Sequence, residues 1–385
     1  MHPVKTLLNT SFAQPVFVWV LAPHLITEDE NLDYYYDFTQ SIAEYTKTFA
    51  ALNLPWKWQP VTMQNYAAII NAIVADTSTH TPIVLNLCDG DEVNGTPGIS
   101  VVKLLAKKGI IFTGADEHFY HITTSKIDMK LAFDKAGVPT PQWLVVTDQL
   151  QNPEIIFEKL GKPVIVKPAI SGGSMGVGVK SVVRNSDALL QQIKSLYDGY
   201  RGWSLTSGGV IAEAYIDGPE FTVFIVGSYN QPQLCHIYQP VERVFHPSLP
   251  DEEKFLSFDR LWEIYEAETI MPNEEHFYEY QTPDAALTES LKNLSWDAYV
   301  ATGGKGYTRV DIRMDKATGN LYVLEVNAQC GISEDENYTS IGAILRLGNC
   351  TFSDMVIEIL KDAIVRNAVA NSLFLATDTQ IASNK

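Results

Sequence analysis

Apolar residues recur along the first part of the chain in short continuous runs, set between stretches whose apolar positions follow a helical period. Val16 to Leu21, Trp56 to Val61, Ile83 to Leu87 and Ile110 to Phe112 read as buried strands. Tyr35 to Leu52, Asn65 to Ala75 and Pro97 to Lys107 read as the helices between them. This alternation predicts a parallel sheet covered by helices, and such sheets collect ligands beyond the carboxyl ends of their strands. The segments placed there are Ala22 to Asp33, with His24, Glu28, Asp29, Glu30 and Asp33, and Cys88 to Asn94, with Asp89, Asp91 and Glu92. Acidic loops are ordinarily just solvated. Two of them at neighbouring strand ends point to a substrate ammonium.

The pattern changes near Ile122. Thr123-Thr-Ser-Lys126 opens a capped helix that runs to Lys135, and Gly137-Val-Pro139 stops it. Trp143 to Thr147 is a strand, Pro153 to Leu160 a helix, Val164 to Val166 a strand and Asp187 to Leu196 a helix, which makes a small α+β lobe. At its centre the strand delivers Lys167, Pro168 ends it, and a loop with Gly172, Gly173, Gly176 and Gly178 leads into a second strand at Val179 to Val183. Glycines let successive N–H groups converge on one concavity, and a cation at the strand end neutralises the anion they surround. A Walker loop is excluded, because there the lysine follows the glycines and a helix comes next. The bland alternative is a flexible hairpin with a surface lysine.

A third unit starts at Val210, where Val210 to Ile216 reads as an exposed segment offering backbone groups to a purine edge. Glu213 would then accept from the exocyclic amine and Glu220 from ribose hydroxyls, although Asp217-Gly-Pro-Glu220 is also simply a good turn. Gly306 to Met314 and Leu321 to Asn327 read as strands joined by the turn Asp315 to Asn320. Alternation puts Arg309, Asp311 and Arg313 on one face and Glu325 with Asn327 beside them. Two carboxylates and an amide oxygen make a hard, all-oxygen set suited to Mg²⁺ shared with phosphate. The competing reading of Arg309 with Asp311 is a structural ion pair.

Composition narrows the partners. The chain has 385 residues, 46% hydrophobic and 19% charged, enough for two or three domains. Its net charge of −18 argues against nucleic acid and anionic membranes. Cys88, Cys235, Cys330 and Cys350 are widely spaced, which suggests reduced thiols in a cytoplasmic protein and no structural zinc. No apolar run reaches membrane-spanning length, and the start lacks a secretory pattern. A homodimer is left open.

These motifs carry a resemblance. Thr124-Ser-Lys126 with Gly-Val-Pro139, Val-Lys-Pro168 with Gly-Gly-Ser-Met-Gly176, Glu213 with Gly-Pro-Glu-Phe-Thr222, Arg-Val-Asp311, and Leu-Glu-Val-Asn327 stand in an order that resembles the ATP-grasp superfamily, in its D-alanine–D-alanine ligase branch, over about 122–360. The resemblance implies an α/β and α+β ATP-grasp fold, with an N-terminal Rossmann-like parallel-sheet domain at 1–121, a central lobe at 122–209, a C-terminal lobe at 210–372 and a polar tail at 373–385. It implies ATP between the lobes, with Lys126 and Lys167 on phosphates, Gly172, Gly173, Ser174 and Gly176 around them, Glu213, Tyr215 and Ile216 along the adenine, and Glu220 at the ribose. Asp311, Glu325 and Asn327 would hold Mg²⁺, with Mn²⁺ as the alternative. Arg309 would be the electrophilic residue, and Gly331 would lend its backbone to an oxyanion hole.

The substrate half departs from the family pattern. There is no glycine-rich first loop with its glutamate, and Asn86-Leu-Cys88 replaces a His-Gly pair. Gly173 replaces a serine, the lid region 239–272 is unfamiliar, and Ser333-Glu-Asp-Glu-Asn337 replaces a Ser/His pattern. The expected function is an ATP-dependent ligase that joins a carboxylate to an amine through an acyl phosphate, acting on amino acids. A pair other than D-alanine with D-alanine is preferred. The alternatives are a D-alanine–D-alanine ligase proper, and a small-molecule kinase or inert nucleotide binder of the same fold. A lid formed by the glycine hairpin and Val241 to Asp259 would exclude water.

Overall fold

In a computed structural model the chain forms three sheets, described for residues 12, 14–25, 37–200, 202–262, 268, 271, 276–335, 337 and 339–383, with the backbone alone for 262 and 369–383. The acidic positions Glu28, Asp29, Glu30 and Asp33 lie outside the described residues, as does part of the expected lid.

The N-terminal sheet contains β1 (Val16–Pro23), β2 (Trp56–Val61), β3 (Thr81–Asn86) and β4 (Ile111–Phe112), all parallel in the order β2-β1-β3-β4. The continuous apolar runs arise because the sheet is covered on both faces. Val18, Val20, Ile83 and Leu85 pack with the helix Thr39–Leu52 on one face; Leu21, Val84, Ile70 and Val101 close the other. Strand order reverses between β1 and β3, so the crevice favoured for ligands opens beyond Pro23 and Asn86.

The central sheet has the order β5-β8-β6-β7, from β5 (Trp143–Val146), β6 (Val164–Pro168), β7 (Val182–Val183) and β8 (Val210–Ala214). Two expectations are corrected here. The segment at Val210 is not exposed: Val210, Ile211, Ala212 and Glu213 are buried, and β8 lies between β5 and β6. It therefore belongs to the central sheet and not to the C-terminal unit that was expected to begin there. The return strand of the glycine hairpin is shorter than predicted, because Val179–Ser181 is spent on a 3-10 turn.

The C-terminal sheet is antiparallel, in the order β12-β11-β9-β13-β14, from β9 (Glu220–Ser228), β11 (Val241–Phe245), β12 (Tyr278–Gln281), β13 (Lys305–Met314) and β14 (Leu321–Ala328), with the short β10 (His236–Ile237) against β9. Val241–Phe245 is thus an inner strand, so only the part of the expected lid beyond it can move as a lid. Period-2 alternation decides what each face does. Phe221, Val223, Ile225, Val310 and Ile312 point to one side, into a core with Met129, Phe133 and the helix Ala285–Ala301. On the other side Phe224 and Tyr307 join the N-terminal core, and further along the same face the side chains turn polar. A long helix, Phe352–Ser383, runs through the region expected to be a tail. Among the described residues no helix is long and apolar enough to cross a membrane.

Candidate active site

The polar end of that sheet face is laid out by strand register. Tyr280, Arg243, Glu220 and Arg313 are successive cross-strand partners on β12, β11, β9 and β13. One step along, Thr222, Asp311 and Glu325 form the next row, and Arg309 stands opposite Asn327. The expected face is therefore present, and all four reacting-centre candidates on β13 and β14 meet. Arg309 holds Asp311 through Nε at 3.1 and 3.2 Å and Nη2 at 3.1 Å, while Asp311 also accepts from Thr222 Oγ1 at 3.1 Å and Asn327 Nδ2 at 2.8 Å. Burial opposes the charge on Arg309, but Asp311 beside it keeps the guanidinium protonated far above any working pH.

Lys126 crosses to this face. Ser125 caps the helix Lys126–Ala136 by accepting from Asp128 N, and the Lys126 N–H donates to Ala169 O at 2.8 Å. Its ammonium lies 2.9 Å from Glu325 Oε1 and 3.4 Å from Ser171 O. Asp311, Glu325 and Asn327 are hard oxygen donors on adjacent strand positions, so the residues fit a divalent cation. Among the described residues no group of three His, Cys, Asp or Glu side chains forms a metal site by itself, so such a cation would need further oxygens from a nucleotide.

The glycine hairpin is held open in a defined way. Gly173, Ser174 and Gly176 have φ of 53°, 59° and 76°, the left-handed region in which glycine carries no penalty. The N–H groups of Met175, Val177 and Val179 are taken by Gly172 O, Ser174 O and Glu268 Oε1. Among the described residues those of Gly172, Ser174 and Gly176 meet no protein acceptor, which leaves them for an anion. Ser174 Oγ instead donates to Leu256 O at 2.9 Å, and Phe258 N donates to Val177 O at 2.8 Å, so hairpin and lid segment are clasped together.

The adenine and ribose candidates are placed differently from expectation. Glu213 shares a sheet face with Lys167, and its carboxylate is fully committed: Lys167 Nζ lies 3.0 Å from Oε1 and Lys130 Nζ lies 2.6 Å from Oε2. Lys130 is wholly buried and donates also to Thr140 Oγ1 at 2.8 Å. It was missed in the sequence, although its position four residues after Lys126 puts it on the same helix face. Glu220 is likewise buried, gripped by Arg243 Nη1 and by Arg313 Nε at 3.3 Å. Tyr215 N–H donates to Pro163 O at 3.2 Å and its hydroxyl to Asp251 O at 2.9 Å; Ile216 O accepts from Arg313 Nη1 at 2.9 Å. Gly331 is exposed, and among the described residues only Thr339 Cγ2 comes near the place of a Cβ, at 3.9 Å.

Across the cleft, the described acids at the end of β3 divide. Glu92 is spent on the helix Ile99–Lys107, accepting from Gly98 N, Ser100 N and Ser100 Oγ. Asp89 has no side-chain partner among the described residues; walled by protein yet open to solvent, its carboxyl is pushed up to about 6 by desolvation, with Asp91 adding to the rise.

A family model described as D-ala D-ala ligase C-terminus matches residues 132–361. The chain is 30% identical over 260 residues to the D-alanine–D-alanine ligase of Neisseria meningitidis serogroup A, covering 66% of this chain and 72% of the relative. To that of Stutzerimonas stutzeri it is 28% identical over 268 residues, 69% of this chain and 73% of the relative. Among solved structures, the D-alanine–D-alanine ligase of Bacillus anthracis complexed with ATP superposes with a TM-score of 0.62 at 18% identity, covering 93% of this chain and all of that one. D-alanyl-alanine synthetase A of Vibrio cholerae does so with a TM-score of 0.65 at 15% identity, over 92% of this chain and all of that one. With the strand order, the lysines and the acid–amide face already in place, the chain belongs to the D-alanine–D-alanine ligase family of ATP-dependent carbon–nitrogen ligases, within the ATP-grasp superfamily.

Proposed function

We propose that the protein activates an amino-acid carboxylate with ATP and joins it to an amine, and that D-alanine with D-alanine is the pair to test first. The observation that carries the chemistry is the register of Arg309, Asp311, Glu325 and Asn327 on one sheet face, with Lys126 reaching that face and Lys167 across the cleft. The names of the relatives carry the substrate pair, and they favour it over the different amine preferred from the sequence.

A substrate carboxylate oxygen attacks the γ-phosphorus, the bond to the β–γ bridging oxygen breaks, and ADP leaves. The amine nitrogen then attacks the acyl carbon, the tetrahedral oxyanion collapses, phosphate leaves and the amine proton is lost. Lys126 and Lys167 spread the charge of the transferring group, and the uncommitted N–H groups of the glycine hairpin cradle it. Arg309 and the Gly331 N–H face the oxyanion. A divalent cation, Mg²⁺ in this reading, would be held by Asp311, Glu325 and Asn327 and would neutralise phosphate oxygens. Lys126 lies 2.9 Å from Glu325 Oε1, and a phosphate oxygen taking its ammonium would leave that carboxylate available to hold the cation. The hairpin clasped to Leu256 and Phe258 keeps water from the acyl phosphate.

One observation favours a different amine as the second reading: Ser333-Glu334-Asp335 places acids, not neutral donors, beside Gly331. Incubation with ATP, Mg²⁺ and D-alanine should give ADP, phosphate and D-alanyl-D-alanine in equal amounts. ADP release only with another amino acid or amine would move the assignment to the second reading, and a phosphorylated product without amide would overturn the ligase reading.

A further inference from the structure

The segment that follows β14 is tied to the N-terminal domain at two points, one on either side of Gly331. At the first, Gln329 is buried with a φ of 59°, a left-handed conformation that costs a residue with a Cβ about 1 kcal/mol or more. Its side chain is bracketed by backbone: Oε1 accepts from Ala115 N at 2.9 Å, and Nε2 donates to Asn86 O at the carboxyl end of β3. A Cβ on Gly114 would fall 1.9 Å from Oε1, so the amide lies flat on the turn after β4. At the second point, Glu44 on the helix Thr39–Leu52 is 2% exposed, and its Oε1 accepts from Ser333 Oγ at 2.6 Å and Glu334 N at 3.2 Å, as well as from Gln40 Nε2 of its own helix at 3.0 Å, while Lys47 Nζ of that helix lies 3.3 Å from Glu334 Oε1 at the surface. No described cation pairs with Glu44, and its other oxygen is buried without a hydrogen-bond partner. A carboxylate kept in such a place at the expense of its own solvation needs a compensating role.

Between these points the burial pattern inverts. Gln329, Cys330, Ile332 and Ser333 are buried while Gly331 alone is exposed, so the two ties present one peptide group to the cleft. The strand itself ends at Ala328 and imposes nothing beyond it. We infer that Gln329 and Glu44 are positioning residues: through them the N-terminal domain fixes the Gly331 N–H against the oxyanion, so that acyl transfer depends on docking of a domain that holds no nucleotide. The inference rests on the reading of Gly331 as an oxyanion donor.

The chemistry gives a specific signature. Acyl phosphate formation uses the lysines and the phosphate loop, whereas capture by the amine uses the Gly331 N–H, so a loosened clasp should let acyl phosphate reach water. In Gln329→Ala and Glu44→Ala the ratio of ADP to amide should rise from one to about three or more, with KM for ATP within about twofold of wild type and capture slowed about tenfold, the loss expected for one misplaced donor bond. Glu44→Gln keeps an acceptor oxygen for Ser333 and Glu334 and should restore coupling, whereas a purely electrostatic Glu44 would make this variant behave like Glu44→Ala. Hydrogen exchange is read on the same full-length proteins without substrate, and amides of 329–335 should exchange about tenfold faster while those of Lys305–Met314 do not.

Unchanged exchange in 329–335 in both alanine variants overturns the clasp. Faster exchange with an ADP-to-amide ratio of one and normal turnover of the folded fraction overturns the positioning role. If wild type forms no amide with any acceptor, the ligase reading fails on that result, and with it the positioning role; exchange still decides separately whether the clasp exists.

Discussion

Replacing Glu213 by glutamine separates two roles for the same side chain. If Glu213 were an adenine ligand, its replacement would cost the protein ATP affinity and little else. In the structure it is 1% exposed and sits between two ammoniums, at 2.6 Å from Lys130 and 3.0 Å from Lys167. Glutamine cannot compensate either charge, and loss of the partner of a buried ion pair costs about 3–5 kcal/mol. Spread over a domain of this size, that lowers the melting temperature by roughly 10 °C. Removing the surplus charge as well, in Glu213→Gln with Lys130→Met, should recover about half of the loss, a coupling of ~1.5–2.5 kcal/mol. The pH dependence has a definite sign. Burial opposes ionisation of Glu213, but Lys130 and Lys167 outweigh it and hold the carboxyl below its usual range. A depressed folded-state pKa gives stability that is complete above the unfolded value, about 4.3, and is lost as pH falls through the folded one. The gap in melting temperature between wild type and Glu213→Gln should therefore narrow below about pH 4. Thermal unfolding from pH 3 to 8, with KM for ATP on the same preparations, tests this. A melting temperature within about 2 °C of wild type at pH 7, together with a tenfold rise in KM, would refute the structural role and return Glu213 to the nucleotide.

Glu325→Gln should abolish turnover with the fold intact, since Glu325 is partly exposed and among the described residues is bonded only to Lys126; near-normal activity at saturating Mg²⁺ would refute the metal assignment. Arg309→Ala should lower kcat by roughly 10²–10³ with little change in KM for ATP, and lysine should rescue poorly because one ammonium cannot replace a planar fork. If Arg309 is only the partner of Asp311, melting temperature falls instead and the folded fraction keeps normal specific activity. Gly172→Ala meets open space and should leave stability unchanged, whereas a Cβ at Gly176, with φ of 76°, lands 2.8 Å from Pro168 Cγ and 3.1 Å from Leu205 Cδ1. Gly176→Val should therefore lower the melting temperature as well as impair ATP use, and equal melting curves would refute the packing.

What was legible in the sequence is what short-range rules determine. Trp56–Val61 appears at its expected limits, and the helix at Lys126 has the serine cap and the Gly137 stop that its sequence announces. The face carrying Arg309, Asp311, Glu325 and Asn327 was legible for the same reason, because side chains alternate along a strand and a short turn fixes the register of β13 against β14. Val210–Ala214 failed because a run that begins with Val-Ile-Ala and ends in charge and turn residues does not say which sheet will accept it. Pairing with Trp143–Val146 and Val164–Pro168 decides that, across more than forty residues of chain.

The residues missed share a physical type. Lys130, Glu44 and Gln329 are polar groups buried by elements far away in sequence, and their partners are a β8 carboxylate, a loop hydroxyl and two backbone groups of the N-terminal domain. A motif records which groups a site needs, since those must recur at fixed spacing on one strand or loop. It does not record what holds the site in place, since any donor or acceptor reaching the same backbone group will serve. This also accounts for the uneven legibility of the two substrate halves. The proposed nucleotide side is built from a lysine at a helix start, a lysine at a strand end and glycine conformations, all local. The proposed acceptor side hangs between domains, on an exposed Gly331 whose neighbours answer to Asn86, Ala115 and Glu44. If Gly331 serves acyl transfer as proposed, amine selectivity should follow how the N-terminal domain seats against residues 329–335, and exchange of that domain with one from a relative should change the accepted amine while leaving KM for ATP within about threefold. Transfer of acceptor preference by residues 210–372 alone would refute this division of labour.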